Sequence, residues 1–196
     1  MGKTKYLDDI MKLFEKSSVV TFDSINRIIK NKKSVKGYAR KMVHYLVKNG
    51  KISRLGKGIY TAKDNINLVI FCFQPAYFGL QDAMSFYNLW EQETIPIIIT
   101  NRKVRKGIRS ILGQNVLIRN IDKKYFFGYE DFQEGDVALP YSDIEKTFID
   151  MIYFKEHLDE EVIDNFKEKI NKKRLKDYLK RYPLRFRKIV LTRLRG

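Results

Sequence analysis

The stretch from Val35 to Thr61 constrains the fold of this chain most strongly, because a helical pattern is followed at once by two short strands. Apolar residues recur every three or four positions and predict a helix over about residues 35–48, which Asn49-Gly50 ends. Two short alternating runs follow, Lys51–Leu55 and Ile59–Thr61, on either side of a glycine-containing turn. Runs of this kind around such a turn are typical of a β-hairpin.

Two more helices are predicted upstream of this segment. Helical spacing predicts the first over Lys3–Lys16, and a short extended piece, Val19–Phe22, separates it from the second. Asp23 or Ser24 is expected to cap the second helix at its N-terminus. Residues 1–63 thus follow the order helix, helix, helix, hairpin, which is the order of a winged helix-turn-helix.

The chain changes character at Asp64–Asn67, where turn-forming residues cluster. We therefore predict a winged helix-turn-helix DNA-binding domain over residues 1–63 and a C-terminal domain over residues 68–196. The predicted class is α+β, in which the winged helix-turn-helix precedes a mixed α/β domain with a small sheet and a helical end.

The elements of the C-terminal part are less sharply indicated. Leu68–Phe73 is compatible with a buried strand or a short helix, and Pro96 indicates that the predicted strand Ile95–Thr100 starts there or lies at a sheet edge. Further strands are predicted at Val116–Ile121, Tyr125–Tyr129 and Val137–Leu139. Helices are predicted at Leu80–Trp90, Ser142–Phe154, Asp159–Ile170, Lys172–Arg181 and Pro183–Leu194.

The charge of +16 is concentrated at the two ends of the chain. Residues 1–63 contain 16 basic and 4 acidic side chains, and residues 165–196 contain 13 basic and 2 acidic ones, whereas the intervening segment is net acidic. Basic ends favour a polyanion as partner. The alternative interpretation is that these lysines lie on the surface and contact only water. The basic C-terminal helices could bind nucleic acid or an acidic protein, or could neutralise the acidic segment.

Membrane and secretory classes are not indicated. Apolar residues make up 44% of the chain, enough for a packed core, but the longest apolar runs fall far below the roughly 20 residues of a membrane span. The N-terminus lacks the pattern of a signal peptide, and the single cysteine excludes an internal disulfide. We expect a soluble, cytoplasmic protein.

The motifs of common enzyme classes are missing from the sequence. There is no zinc-spaced Cys/His set, no phosphate-binding glycine loop and no GxSxG turn. Asp143, Glu145, Lys146 and Asp150 could be read as a metal-dependent nuclease site, but adjacent helical residues point about 100° apart. The favoured interpretation is surface charge plus a capping box in which Ser142 caps and Glu145 stands third. We therefore expect no catalytic residue, no metal, no cofactor and no enzymatic activity.

The candidate DNA-binding residues lie on the third helix and the hairpin. Arg40 is best suited to read a guanine bidentately, whereas Lys36 and Lys41 are expected to hold phosphates. Arg54 and Lys57 on the hairpin suit contacts to the DNA backbone or the minor groove. Tyr38 could stack on a sugar or cover the edge of the core. Gly37 is expected inside the helix, where it costs roughly 1 kcal/mol against alanine, and it could permit close approach to the groove. The complete set is Ser34, which is also expected to cap the helix, with Lys36, Gly37, Tyr38, Arg40, Lys41, Arg54 and Lys57.

Four segments in a fixed order resemble those of a known family. They are "LVKNGKISRLGKGIYTA" (Leu46–Ala62), "QPAYFGLQDAMSFYNLW" (Gln74–Trp90), "IPIIITNRK" (Ile95–Lys103) and "LPYSDIEKTFIDMIYF" (Leu139–Phe154). Their order and spacing resemble the AbiEi-type abortive-infection antitoxins and related transcriptional regulators.

This resemblance implies a winged helix that binds inverted repeats in its own promoter as double-stranded DNA and represses the operon. It also implies a C-terminal domain that counters a nucleotidyltransferase-like toxin in a type IV toxin–antitoxin system, without need of a stable complex. The family's Glu-Arg pair and later Asp would fall at Glu145, Lys146 and Asp150, so that a lysine replaces the arginine here.

Three function classes follow from these observations. The first is a sequence-specific repressor, with or without antitoxin activity, that loses binding in Arg40→Ala. The second is a solitary regulator or protein-interaction module, and the third, weakest class is a metal-dependent nuclease. RNA remains open as the ligand, because charge alone does not distinguish it from DNA.

Overall fold

The computed structural model of the chain describes residues 6–30 and 37–195. It divides into two compact units. The N-terminal unit extends to Cys72 and includes residues 111–114 and 135–137, and the C-terminal unit contains the other residues. The assignment of separate functions to residues 1–63 and 68–196 stays a prediction.

The N-terminal unit has the predicted order of helices and strands. Its elements are α1 (Leu7–Lys16), β1 (Val20–Thr21), α2 (Phe22–Lys30), α3 (Tyr38–Lys48), β2 (Ser53–Gly56), β3 (Ile59–Thr61) and a 3₁₀ helix (Ile66–Cys72). The strands form an antiparallel sheet in the order β1-β3-β2. Ile10, Ile25 and Leu46, one from each helix, are fully buried in the shared core. The α+β class with a winged helix is thereby confirmed, and the 3₁₀ helix resolves the ambiguity over Leu68–Phe73 in favour of a helix.

Two of the predicted helix starts are wrong. Helix α2 begins at Phe22, so Asp23 and Ser24 lie inside it, and the Thr21 hydroxyl oxygen accepts a hydrogen bond from the Ser24 N–H at 3.2 Å. Helix α3 begins at Tyr38 because Gly37 has a left-handed φ of 90°, which no residue inside an α-helix adopts. The helical cost assigned to Gly37 therefore does not apply, and the predicted cap Ser34 lies outside the described residues.

The C-terminal unit is built on a six-stranded sheet and four long helices. Its strands are β4 (Ala76–Phe78), β5 (Ile97–Thr100), β6 (Gly107–Ile111), β7 (Gln114–Asn120), β8 (Tyr129–Glu134) and β9 (Val137–Ser142). Its helices are α4 (Gln81–Phe86), which is short, α5 (Ile144–Tyr153), α6 (Glu160–Lys169), α7 (Lys172–Leu179) and α8 (Leu184–Arg195), with a short 3₁₀ helix at Lys123–Tyr125. The strand order is β6-β7-β5-β4-β9-β8, and β5 pairs antiparallel with β4 and parallel with β7.

The sheet corrects several predictions. Tyr125–Tyr129 is not a strand, because Tyr125 ends a 3₁₀ helix that Asp122 caps through the Lys124 N–H. Strand β5 starts just after Pro96 and is central, so Pro96 marks the start of a strand, which was one of the two alternatives, and not a sheet edge. Strands β4, β6 and β8 were not predicted.

The predicted helix Leu80–Trp90 is shorter than expected. Helix α4 ends at Phe86, and Asn88 takes a left-handed φ of 52°. The N–H groups of Asn88 and Leu89 donate to the carbonyls of Ser85 and Met84, which is the hydrogen-bond pattern of a Schellman motif. Leu89 is thereby turned into the core, where it is fully buried.

Helix α5 starts one residue later than predicted. Its cap is Asp143, whose Oδ1 accepts from the Lys146 N–H at 2.7 Å, so the capping box of Ser142 and Glu145 is wrong. Asp143, Glu145, Lys146 and Asp150 are all buried, which also overturns their interpretation as surface charge. The helix is enclosed because α6 and α7 pack against it.

Candidate nucleic-acid interface

Helix α3 presents one apolar and one basic face. Ala39, Met42, Val43 and Leu46 are buried against α1 and α2 at helical spacing. The residues between these buried positions include Arg40, Lys41 and His44, whose side chains are exposed. The outer face of the second helix of the helix-turn-helix is therefore cationic.

The hairpin forms the wing beside this helix. Arg54 is exposed and alternates with Leu55, which is buried. The wing turn is fixed to the start of α2, because the Phe22 N–H donates to the Gly58 carbonyl at 2.8 Å. Lys57 stands exposed at the turn.

One shallow cleft brings the helix and the wing together. It has a volume of about 220 Å³ and lies between α3 and the β2–β3 hairpin. Arg40 and Arg54, fourteen positions apart in sequence, both line it. The Arg54 Nε–H also donates to the Gly56 carbonyl at 3.1 Å, which holds this guanidinium against its own strand. Two guanidinium groups thus face one concave surface.

The cations of this surface are available for a ligand. Within residues 6–30 and 37–195, no salt bridge joins Arg40, Lys41, Arg54 or Lys57 to a carboxylate. Phosphate groups of a nucleic acid can take that place, since binding releases the counterions condensed on the polyanion.

Tyr38 and Gly37 have structural roles. The half-buried Tyr38 ring packs on the core of the N-terminal unit and meets the Tyr6 ring edge-on at 5.9 Å between centroids. This favours the core-edge interpretation of Tyr38 over stacking on a sugar. Gly37 is needed for its left-handed φ, since a Cβ added there would have no atom within 4 Å to strike.

The structure adds one residue to the predicted site and leaves two undecided. His44 lines the cleft with the two arginines. Its position one turn after Arg40 is the sequence signal that identifies it, because residues i and i+4 share a helix face. Ser34 and Lys36 lie outside the described residues.

The four charged residues of α5 and its cap form a closed network in the C-terminal unit. The Lys146 ammonium pairs with Asp150, whose other carboxylate oxygen accepts from the Tyr77 hydroxyl at 2.7 Å. Asp143 accepts from the Tyr178 hydroxyl at 2.6 Å, and Glu145 accepts from the Asn171 N–H at 2.6 Å, at the start of α7. Every carboxylate in this network therefore has a donor.

Burial dominates the protonation of this network. Loss of water lowers the pKa of Lys146 and raises the pKa of Asp150, although their mutual attraction opposes both shifts. In the part of the chain that the structure describes, no three His, Cys, Asp or Glu side chains are arranged to hold a metal ion. The network is suited to holding α5 and α7 together.

Two comparisons relate the chain to known proteins, and a third finds no match. Residues 8–63 match the family described as "Transcriptional regulator, AbiEi antitoxin". The fold resembles the crystal structure of the RV2827C protein from Mycobacterium tuberculosis, with a TM-score of 0.65 and 12% sequence identity over 98% of this chain and 78% of that one. A comparison with curated protein sequences found no match.

The structural likeness concerns the fold alone, because the identity is low. No helix within the described residues is long and apolar enough to cross a membrane. The family match covers the three helices and the hairpin of the N-terminal unit, including every residue that lines the basic cleft. Over residues 8–63, this chain is similar to the AbiEi antitoxin family of transcriptional regulators.

Proposed function

We propose that the protein is a sequence-specific DNA-binding repressor of its own promoter and the antitoxin of a type IV toxin–antitoxin system. The observation that supports this most directly is the cleft in which Arg40 of α3 and Arg54 of the wing face one surface, with no carboxylate of the described segments paired to either. A repressor needs an exposed helix that fits the major groove and cations beside it that hold phosphates.

The roles of the side chains follow from their positions. Arg40 lies in the first turn of α3, on the exposed face, where its guanidinium can donate two hydrogen bonds to the O6 and N7 atoms of a guanine. Lys41 and Lys57 hold phosphates as point charges, and Arg54 contacts the backbone or the minor groove.

Arg40→Ala is expected to weaken binding to the cognate duplex by about 5- to 150-fold, as loss of a bidentate base contact does. Binding to a scrambled duplex is expected to change far less. The measurement is fluorescence anisotropy with a duplex from the region upstream of the gene and a scrambled duplex, at two salt concentrations.

Lys57→Ala is expected to weaken both complexes alike. It is also expected to lower the slope of log K against log salt concentration by about one, because one phosphate contact is lost.

The matched control is Arg185→Ala, which removes one exposed arginine from α8 and gives the same net charge. Equal, weak binding of both duplexes with a steep salt slope would show generic electrostatics and contradict the proposal. Tighter binding of an RNA duplex of the same sequence would contradict the choice of DNA.

The antitoxin part of the proposal rests on the family match and is tested separately. We expect expression of this chain to relieve growth inhibition by a nucleotidyltransferase-like toxin encoded beside it, without a stable complex on gel filtration. The Arg40→Ala variant is expected to relieve the growth inhibition as well as the unaltered chain does when both genes are driven by foreign promoters. Neutralisation of the toxin then requires no DNA binding. If the unaltered chain does not relieve the growth inhibition, the antitoxin part of the proposal is wrong and the protein is a regulator without antitoxin activity.

A further inference from the structure

A second concave site lies within the C-terminal unit, between α6, α7 and α8. It has a volume of about 440 Å³, within the range of small-molecule sites. Its apolar wall consists of Leu175, Leu191 and Leu194, and its rim carries four cations, Lys167, Lys172, Lys176 and Arg195.

Helical spacing explains how the two kinds of lining residue meet. On α7, Lys172, Leu175 and Lys176 stand three and four residues apart and so share one face. On α8, Leu191, Leu194 and Arg195 repeat the same arrangement. Each helix therefore contributes apolar surface at the base and positive charge at the edge.

The base of the cavity is firmly held, and its rim is not neutralised. Leu175 is only 1% exposed and belongs to the core of the unit. Lys167 pairs with Asp164 at 2.8 Å, but no carboxylate of the described segments forms a salt bridge with Lys172, Lys176 or Arg195. These cations repel one another, and a bound anion would reduce that repulsion.

We propose that this cavity binds a small molecule that has an anionic head and an apolar body. The leucine wall covers the apolar body, and the lysine and arginine side chains hold the carboxylate, sulfonate or phosphate of the head. A nucleic-acid backbone is a poorer match, because it would leave the leucine wall without an apolar partner.

The test uses the full chain and the fluorescent probe 1-anilinonaphthalene-8-sulfonate, which joins a sulfonate to an aromatic body. We expect saturable binding that decanoate displaces and decylamine, with the same chain length and opposite charge, does not. The double variant Lys172→Gln, Lys176→Gln is expected to raise the Kd of the probe about tenfold or more, because two charge-assisted contacts are lost. Leu194→Trp is expected to abolish binding by filling the cavity.

The control is Lys173→Gln with Lys188→Gln, which removes two exposed lysines from the same helices but outside the cavity. For this variant, the Kd of the probe is expected to stay within about twofold of its value for the unaltered chain, since neither lysine lines the cavity and exposed charges are screened. Equal displacement by decylamine and decanoate, or unchanged binding in both cavity variants, would overturn the proposal. The readout is independent of DNA binding, so it does not depend on the proposed repressor function.

Discussion

Lys146→Met is expected to lower the free energy of unfolding of the C-terminal unit by about 3–5 kcal/mol, the usual cost of removing one partner of a buried ion pair. Lys146 and Asp150 are both 0% exposed, so Asp150 would lose its cation with no water to replace it. The Tyr77 hydroxyl would remain as its donor, which satisfies one oxygen but does not neutralise the charge.

The measurement is urea unfolding followed by the fluorescence of Trp90, the single tryptophan, which packs against the core of this unit. Lys146→Met with Asp150→Asn is expected to recover most of the loss, because the asparagine is neutral and still accepts from Tyr77. Lys180→Met removes the exposed partner of Asp177 and is expected to cost less than about 1 kcal/mol. Equal losses for Lys146→Met and Lys180→Met would show that the buried pair contributes no more than a surface one.

Asp82→Asn is expected to remove a pH dependence of stability between about pH 4 and pH 7. Burial raises the pKa of Asp82 from 3.8 to about 7, although its carboxylate accepts from the Ile97 N–H at 2.9 Å. In this interval the folded state binds a proton that the unfolded state has released, so stability falls as the pH rises. Since part of the residue stays exposed, we expect a change of about 2–4 kcal/mol over the interval.

Urea unfolding of both proteins from pH 4 to pH 8 measures this difference. The amide introduced by Asp82→Asn keeps an acceptor for the Ile97 N–H and carries no charge. The variant is therefore expected to match the unaltered chain near pH 4 and to exceed it at pH 8. Other buried groups, including Asp143 and Asp150, titrate equally in both proteins and cancel in the comparison. Parallel stability curves would show that the Asp82 carboxyl has an ordinary pKa.

Local signals were sufficient for the winged helix. The period of apolar residues in α3, the stop at Gly50 and the glycine turn between β2 and β3 each act within a few residues, and the predicted order of elements is confirmed. The exposure of Arg40 and Arg54 follows from the same periodicities. The shared cleft was not predictable in detail, because it depends on how the hairpin packs beside α3.

The C-terminal unit was harder to predict, because its strands are set by distant partners. Strand β8 is exposed along almost its whole length at the sheet edge, so it lacks the alternation that marks a half-buried strand. The three residues of β4 are all buried between β5 and β9. Such a short apolar run shows no alternation of apolar and polar residues from which a strand could be predicted. The end of α4 is set by the burial of Leu89.

The amino-acid sequence is enough to predict the helix and strand order of residues 7–61, the basic outer face of α3 and the family match, because these features depend on residues close together in the chain. For the charges of the C-terminal unit, burial or exposure depends on how the helices pack. Lys146 and Asp150 have the spacing of a surface ion pair, yet α6 and α7 pack over their helix and exclude water. Lys172 and Lys176 have the same spacing and stay exposed, because α6 and α8 leave a cavity beside them.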